Sequence, residues 1–167
     1  MVFDAAALIA SFGYLGIFLS SLISSLSLFF PLPGFAIAIT AGALLDPFWV
    51  GIAAGIGSAI GEMIGYPIGR GIHYGYHKRK RQKRKKSKYE KDILRIIKDW
   101  FDRKRGPLII FIFAVTPLPD DFVVIFCGII KYDIKKLFIV LLIGKIIFSL
   151  TLAYIGYYGL EYAVGFL

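Results

Sequence analysis

The sequence has few residues of the kinds that build disulfides, metal centres and polar active sites. Cys127 is its single cysteine, and His73 and His77 are its two histidines. One cysteine cannot form an intrachain disulfide, and the histidines have no nearby acidic or cysteine partner with which to bind zinc. Asparagine is absent, a depletion of labile amides that is typical of thermophilic proteins. We therefore expect no disulfide, no metal site and no other cofactor.

A long segment near the start of the chain has no charged residues. No Asp, Glu, Lys or Arg occurs between Asp4 and Asp46, a run of 41 positions. A helix that spans a bilayer needs about 20 apolar residues, so this run is about twice that length. With 57% hydrophobic residues, the 167-residue chain is also more apolar than soluble domains, at about 45–50%. The sequence predicts an integral membrane protein, without the basic start of a cleavable signal peptide.

Most of the basic residues lie in one segment. Residues 73–105 contain 15 of the 20 Lys and Arg residues and only four acids, so this segment carries +11 and the rest of the chain −2. Because basic loops stay on the cytoplasmic side, we expect a multi-pass protein of the cell membrane with 73–105 in the cytoplasm. The densest part, 77–88, is expected to attract anionic lipid head groups. A nucleic-acid or import signal is the alternative interpretation, and we expect no nucleic-acid partner.

Two proline motifs indicate an internal duplication. Pro31-Leu32-Pro33 recurs as Pro117-Leu118-Pro119, 86 residues later. Further matches follow in the same order at an offset of 86 or 87: Gly42 with Gly128, Asp46 with Asp133, Gly57 with Gly144, and Gly69 with Gly156. This order predicts two repeats, at about 2–72 and 88–160, joined by a basic linker at about 73–87 in a single membrane domain, 1–167.

Each repeat is predicted to contain a leading helix, a re-entrant helical hairpin and a long transmembrane helix. The arms 107–116 and 122–130 are too short to span, so they indicate a hairpin with Pro117 and Pro119 at its tip; Pro31 and Pro33 mark the first hairpin. Since the crossing helix 47–72 ends in the cytoplasmic segment, the two hairpins enter from opposite faces. The predicted fold is an all-α membrane protein with two inverted-topology repeats, an arrangement typical of secondary transporters.

The leading helix of the second repeat has its own signals. Residues 87–90 form a capping box, and Ile93, Ile97, Trp100 and Phe101 form an apolar stripe at helical spacing. This pattern predicts an amphipathic helix on the cytoplasmic surface. Its counterpart at about 2–19 is uniformly apolar, and both a flat and a spanning orientation remain open.

A glycine stripe and a few ionisable residues are the candidate functional elements. Gly57, Gly61, Gly65 and Gly69 share one face of the first crossing helix and are expected to pack closely against another backbone.

Glu62, on the same helix, is predicted near mid-bilayer, where an ionisable group is a functional candidate. Lys145 is predicted within about a helical turn of the same depth, so the two residues either form a structural pair or belong to a transport site. Asp120 and Asp121 lie at the second hairpin tip, where they either cap a helix or repel each other so that one holds a proton. Arg70 is either a membrane anchor or a phosphate contact.

Two segments resemble the DedA family, also called the VTT or SNARE-associated-Golgi-like family. They are GSAIGEMIGYPIGR at 57–70 and FAVTPLPDD at 113–121, followed by Gly128. The resemblance covers most of residues 21–157. It implies opposing hairpins and movement of lipid between leaflets, either polyprenyl-phosphate carriers or phospholipids, with proton dependence.

The chain departs from this family at the positions where many members have charged residues. It has Phe35 where they have an acid, and Ala114 and Asp120 where they have arginines, while Glu62 and Arg70 match. A mechanism that depends on those family charges therefore cannot be transferred intact.

No nucleophile triad, phosphate-binding glycine loop or zinc motif occurs, so we expect a protein that is not an enzyme. The expected function is lipid movement of the flippase or scramblase type. The expected polar path runs through five ionisable residues, which are Asp120, Asp121, Glu62, Lys145 and Arg70. The alternatives are an ion- or proton-coupled transporter of a small solute, and a non-transporting assembly or tethering protein. Membrane lipids are the expected partners, and homo-oligomer formation is left open.

Overall fold

Six helices make up most of the chain that the structure, a computed structural model, describes. It describes residues 12–26, 32–72, 101, 105–118 and 120–164. No strand occurs in these ranges. The helices are α1 Tyr14–Ser25, α2 Leu32–Leu44, α3 Pro47–Glu62, α4 Gly106–Val115, α5 Asp121–Ile130 and α6 Ile134–Val164. A turn follows α3, and the helix then continues at 65–72.

The two long helices begin with the same capping interaction. Asp46 Oδ1 accepts hydrogen bonds from the backbone N–H groups of Phe48, at 2.9 Å, and Trp49, at 3.4 Å. Asp133 Oδ1 accepts them from Lys135, at 2.8 Å, and Lys136, at 3.3 Å. An Asp at this position satisfies N–H groups that have no partner inside the helix. Asp46 and Asp133 are one of the pairs related by the offset of 87.

Two helices are long and apolar enough to cross a membrane, Pro47–Ile72 and Ile134–Tyr162. Lys135 and Lys136 are exposed near the start of α6, whereas Tyr154 and Tyr158 are exposed and stacked near its end. At 1.5 Å per residue, Tyr154 lies about 30 Å along the helix from Ile134, which equals the thickness of a hydrocarbon core. Basic residues at one end and tyrosines at the other are typical of a helix with both ends at membrane interfaces.

The short helices pack against the long ones through glycines. On α2, Gly42 faces the backbone of Ala153 so closely that a Cβ would overlap it. On α5, Gly128 faces the carbonyl of Tyr66 in the same way. Positions 42 and 128 are related by the offset of 86, and 66 and 153 by 87. The helix α2 therefore packs on the second long helix and α5 on the first, through matching positions.

The apolar core consists of two clusters of buried residues, and each cluster combines residues from both halves of the sequence. One is formed by α1, α2, α3 and α6 and contains Ile17, Ala38, Ala41, Val50, Ala54 and Ala153. The other includes Tyr66, Phe101, Ile110, Ala114, Val124, Cys127, Ile130, Tyr132, Leu137 and Leu141. Cys127 is buried among these apolar neighbours, as expected of a small hydrophobic residue.

Several sequence predictions lie outside the described residues. They are the capping box at 87–90, the stripe residues Ile93, Ile97 and Trp100, the basic segment 73–100, the proline residues Pro31 and Pro119, and the first part of the leading helix at 2–11. Phe101, the last residue of the predicted stripe, is buried and contacts the rings of Phe126, at 5.7 Å, and Tyr132, at 5.4 Å.

Candidate functional site

The first long helix is interrupted directly after Glu62. Tyr66 N–H donates to the Met63 carbonyl at 3.1 Å, so the tighter i→i−3 pattern replaces the α-helical one at this point. Pro67 explains the interruption, because its nitrogen has no hydrogen to donate to the carbonyl four residues earlier, that of Met63. Glu62 is thus the last residue of a regular helix that stops inside the predicted membrane span.

Glu62 and Lys145 lie at the same depth along the two long helices. Glu62 precedes Ile72 by 10 residues, and Lys145 follows Ile134 by 11 residues. At 1.5 Å per residue both lie about 15 Å from the same end of the bundle. A hydrocarbon core that begins at this end would be about 30 Å thick, so its middle would lie at the level of these two residues.

One lysine joins two carboxylates at this depth. The Lys145 ammonium contacts Glu62 Oε1 and lies 2.6 Å from Asp120 Oδ2. All three residues are buried, each with 6% of its surface exposed. Among the described residues, Glu62 Oε2 has no hydrogen-bond partner, although it is fully buried. The cluster connects α3, the hairpin tip before α5, and α6.

The two hairpin aspartates have different surroundings. Asp120 stands at the N-cap position of α5, but its side chain makes no capping hydrogen bond and reaches Lys145 instead. Asp121 is the first residue of α5 and is only partly buried. Within the described part of the chain it forms no ion pair. The expected role of the pair as a helix cap is therefore not fulfilled by the Asp120 side chain.

The cluster borders a cavity of about 50 Å³. Its wall includes four serines, two phenylalanines and the four ionisable residues of the centre: Ser24, Ser25, Ser58, Ser149, Phe35, Phe148, Glu62, Asp120, Asp121 and Lys145. The two rings lie edge to face, with their centroids 5.2 Å apart. Holding one water takes about 10–15 Å³ of such volume, so the cavity has room for a few water-sized groups.

The cavity lies where the two halves of the sequence meet. Four pairs of its wall residues are related by the offset of 86 or 87: Gly34 with Asp120, Phe35 with Asp121, Ser58 with Lys145, and Glu62 with Ser149. Each half thus supplies the same four positions with different chemistry. The start of α5 contributes two carboxylates, and the equivalent part of α2 contributes a glycine and a phenylalanine.

The charges of the wall are unbalanced. Three carboxylates face one ammonium, and no other basic residue of the described chain lines the cavity. Among these residues, no group of three His, Cys, Asp or Glu side chains is placed to hold a metal ion. Buried charges are tolerated when they are paired, and the surplus carboxylate chemistry suits binding of a proton or of a small cation.

Arg70 and the four glycines of the stripe do not line this cavity. Arg70 is exposed, with its guanidinium carbon 6.0 Å from the centroid of the Tyr66 ring. Of the hairpin prolines that the structure describes, Pro33 lies in α2 and Pro117 follows α4.

The glycine stripe packs against two different helices. Gly57 and Gly61 contact the backbone of α1, whereas Gly65 and Gly69 contact α5. The stripe therefore packs against other helices on both sides of the interruption after Glu62. It also holds α5 next to the ionisable cluster.

The serine and phenylalanine wall was not predicted from the sequence. A signal for part of it exists, because Ser58 and Ser149 are the offset partners of Lys145 and Glu62. No comparable signal marks Ser24 or Phe148, whose places in the wall depend on how α1 and α6 pack.

Comparison with known proteins gives one match. The family model of the VTT domain matches residues 32–158, which is 127 of the 167 residues. The matched region contains α2 to α5, most of α6 and every ionisable residue of the cavity wall. No curated protein and no solved structure is significantly similar to the chain.

Proposed function

We propose, since the chain belongs to the VTT domain family, that it moves lipid between the two leaflets of the cell membrane. The observation that carries this proposal is the buried cluster of Lys145, Glu62 and Asp120 at mid-depth. Ionisable residues inside a membrane are costly and usually mark a transport path or binding site. No covalent chemistry is needed, so we place the protein among transport proteins and not among enzymes.

The architecture that we propose is an inverted repeat with two re-entrant hairpins. The exchange of helices through Gly42 and Gly128, and the equivalent caps at Asp46 and Asp133, support two halves of like structure. In transporters of this design the binding site lies near the midplane at the repeat interface, and it often includes an interrupted helix. The cavity and the interruption after Glu62 agree with that location.

Lipid is favoured over a water-soluble substrate by the cavity wall at the hairpin tip. Leu118 lines the cavity and is 46% exposed, and the nearby Phe122 is 62% exposed. Exposed apolar side chains at this position fit a cavity whose edge faces hydrocarbon, where a lipid head group enters while its chains stay in the bilayer. The proposed orientation has 73–105 in the cytoplasm, and the exposed lysines at the start of α6 support it.

A second candidate function is an ion- or proton-coupled transporter of a small solute. The small volume of the cavity favours it, because about 50 Å³ does not hold a complete lipid head group. The lipid function requires that the hairpins move apart, whereas a small cation fits the cavity as it stands.

Reconstitution tests the lipid function. The full-length protein is placed in vesicles that carry a fluorescent lipid in one leaflet, and loss of that asymmetry is followed by quenching from outside. The protein should speed lipid movement, and Glu62→Leu combined with Lys145→Leu should slow it. Vesicles with Glu161→Gln, a change at an exposed residue outside the cavity wall, serve as control. Lipid movement no faster than in protein-free vesicles would show that the proposed function is wrong.

A further inference from the structure

We propose that the cavity binds a primary ammonium group and not a phosphate group. The inference rests on the proposed function, because the ammonium would be that of an aminophospholipid head group passing through the same site. A free amine offers the same chemistry. The experiments below separate these two sources.

The cavity wall has more acidic than basic groups. Glu62, Asp120 and Asp121 supply three carboxylates, against the single ammonium of Lys145, in the part of the chain that the structure describes. An incoming cation reduces this imbalance and an incoming phosphate increases it. In a site shielded from water such charge differences are weakly screened.

Lys145 already has two carboxylate partners. Its ammonium contacts Glu62 and lies 2.6 Å from Asp120, so two of its three donors have carboxylate partners. A phosphate that used Lys145 would have to displace one carboxylate and leave it unpaired in a buried site. Arg70, the other candidate for a phosphate contact, is exposed and lies outside the cavity wall.

The cavity wall is rich in hydrogen-bond acceptors. Glu62 Oε2 is buried without a partner among the described residues, and Asp121 lines the cavity without an ion pair there. Ser58 and Ser149 add hydroxyl oxygens to the wall. A primary ammonium has three donors and no acceptor, so it suits a wall of this kind. The Phe35 ring also lines the cavity and adds an aromatic surface that favours a cation.

The volume selects the kind of ammonium. About 50 Å³ admits a few water-sized groups, which fits a primary ammonium and its adjoining methylene. A trimethylammonium group is bulkier and has no N–H to donate. The proposal therefore names a primary ammonium specifically.

Binding of small probes tests the inference directly. The thermal unfolding of the full-length protein in detergent is measured with methylammonium chloride, tetramethylammonium chloride and sodium phosphate, at constant ionic strength. Methylammonium should raise the unfolding temperature in a saturable way, because a ligand that binds only the folded state stabilises it. The other two should have no effect beyond that of sodium chloride.

Two variants locate the binding. Asp121→Asn should weaken methylammonium binding about tenfold, the loss expected for one charge-assisted hydrogen bond, and Ser149→Ala provides a second, uncharged change in the wall. Glu161→Gln, an exposed carboxylate of α6, is the matched control and should bind as the unchanged protein does. Equal stabilisation by methylammonium and tetramethylammonium, or saturable binding of phosphate, would overturn the proposal.

Transport separates the two sources of ammonium. In phosphatidylcholine vesicles, phosphatidylethanolamine labelled on its acyl chain should move faster than phosphatidylglycerol labelled in the same way, and ethanolamine should inhibit that movement. If methylammonium binds but no lipid moves, the proposed function is wrong and the inference holds for a free amine. If lipids move without head-group preference and methylammonium does not bind, the inference is wrong and the proposed function stands.

Discussion

Asp120 Oδ2 lies 2.6 Å from Lys145 Nζ, and this contact joins the start of α5 to the second long helix. The same ammonium also contacts Glu62, so Lys145 connects to the first long helix as well. Lys145 is thus the common partner of two acids. Removing the lysine and removing one acid should therefore have different consequences.

We expect Lys145→Leu to destabilise the protein far more than Glu62→Leu. Lys145→Leu leaves two buried carboxylates without a partner, and breaking such pairs costs about 3–5 kcal/mol. Glu62→Leu leaves Lys145 paired with Asp120, so its cost should be well below that range. Thermal unfolding of the purified variants in detergent measures the difference.

The double variant Glu62→Leu/Lys145→Leu should recover only part of the stability, because Asp120 then stays buried and unpaired. Adding Asp120→Leu should complete the recovery, since apolar replacements of a buried ionic group are often neutral. If the double variant alone were as stable as the unchanged protein, the Asp120 contact would contribute nothing to the fold.

Asp121 is expected to contribute to the pH dependence of transport. A carboxylate without an ion pair in a poorly solvated site does not ionise readily, so a proton should be gained and lost there during transport. Asp121→Asn removes the carboxylate that has no ion pair within the described chain, and it should flatten the profile of transport rate against pH. Asp120→Asn removes a carboxylate partner of Lys145 and should mainly lower stability.

The measurement is lipid movement in vesicles over a range of pH, with Glu161→Gln as the control for a charge change outside the cavity. A profile that keeps its shape in Asp121→Asn, in protein that is folded and inserted, would exclude Asp121 from proton transfer.

How far the sequence predicts this site is clear from particular residues. The offset matches at Gly57 and Gly144 placed Glu62 and Lys145 near the same depth, and the structure has them in contact. Helix period and offset suffice for that, because both residues sit on regular helices.

The contact of Asp120 with Lys145 did not follow from the pattern. Its position beside a proline motif suits a helix cap as well, and only the packing of α5 on the first long helix decides which partner the side chain reaches. Arg70 is exposed beside the Tyr66 ring and does not line the cavity, and its role as a path residue stays a prediction.

The matched glycines give a prediction about packing. Gly42→Ala should destabilise the protein by about 1–3 kcal/mol, because the new Cβ overlaps the Ala153 backbone, which has no room to move. Gly128→Ala should cost a similar amount against Tyr66. Gly159→Ala is the control, since a Cβ there meets nothing within 4 Å and alanine favours a helix. Similar unfolding temperatures for all three variants would contradict the close packing of α2 and α5.

Asp133 should make stability depend on acid. The backbone N–H groups of Lys136 and Lys135 hydrogen-bond its carboxylate and lower its pKa below the ordinary value. A lowered pKa in the folded state means that the stabilisation is complete above the unfolded pKa of about 3.9 and is lost as the pH falls through the folded pKa. The unfolding temperature of the unchanged protein should thus approach that of Asp133→Asn below about pH 4. A constant difference between the two down to pH 3 would argue against this contribution.

The orientation of the helices gives the last prediction. Leu44, 75% exposed, lies just before the first long helix, and Lys135 is exposed near the start of the second. The first long helix leads into the basic segment and the second long helix follows it, so these two positions should lie on opposite sides of the membrane.

Single cysteines at 44 and 135, in a Cys127→Ser background, should each react with an impermeant thiol reagent from one side only, 135 from the cytoplasmic side. Replacing Cys127, which is buried, leaves the introduced cysteine as the single thiol of the protein. Labelling of both positions from the same side would contradict an odd number of crossings between them and, with it, the inverted repeat. Labelling from opposite sides, with 135 outside, would preserve the repeat but reverse the protein in the membrane.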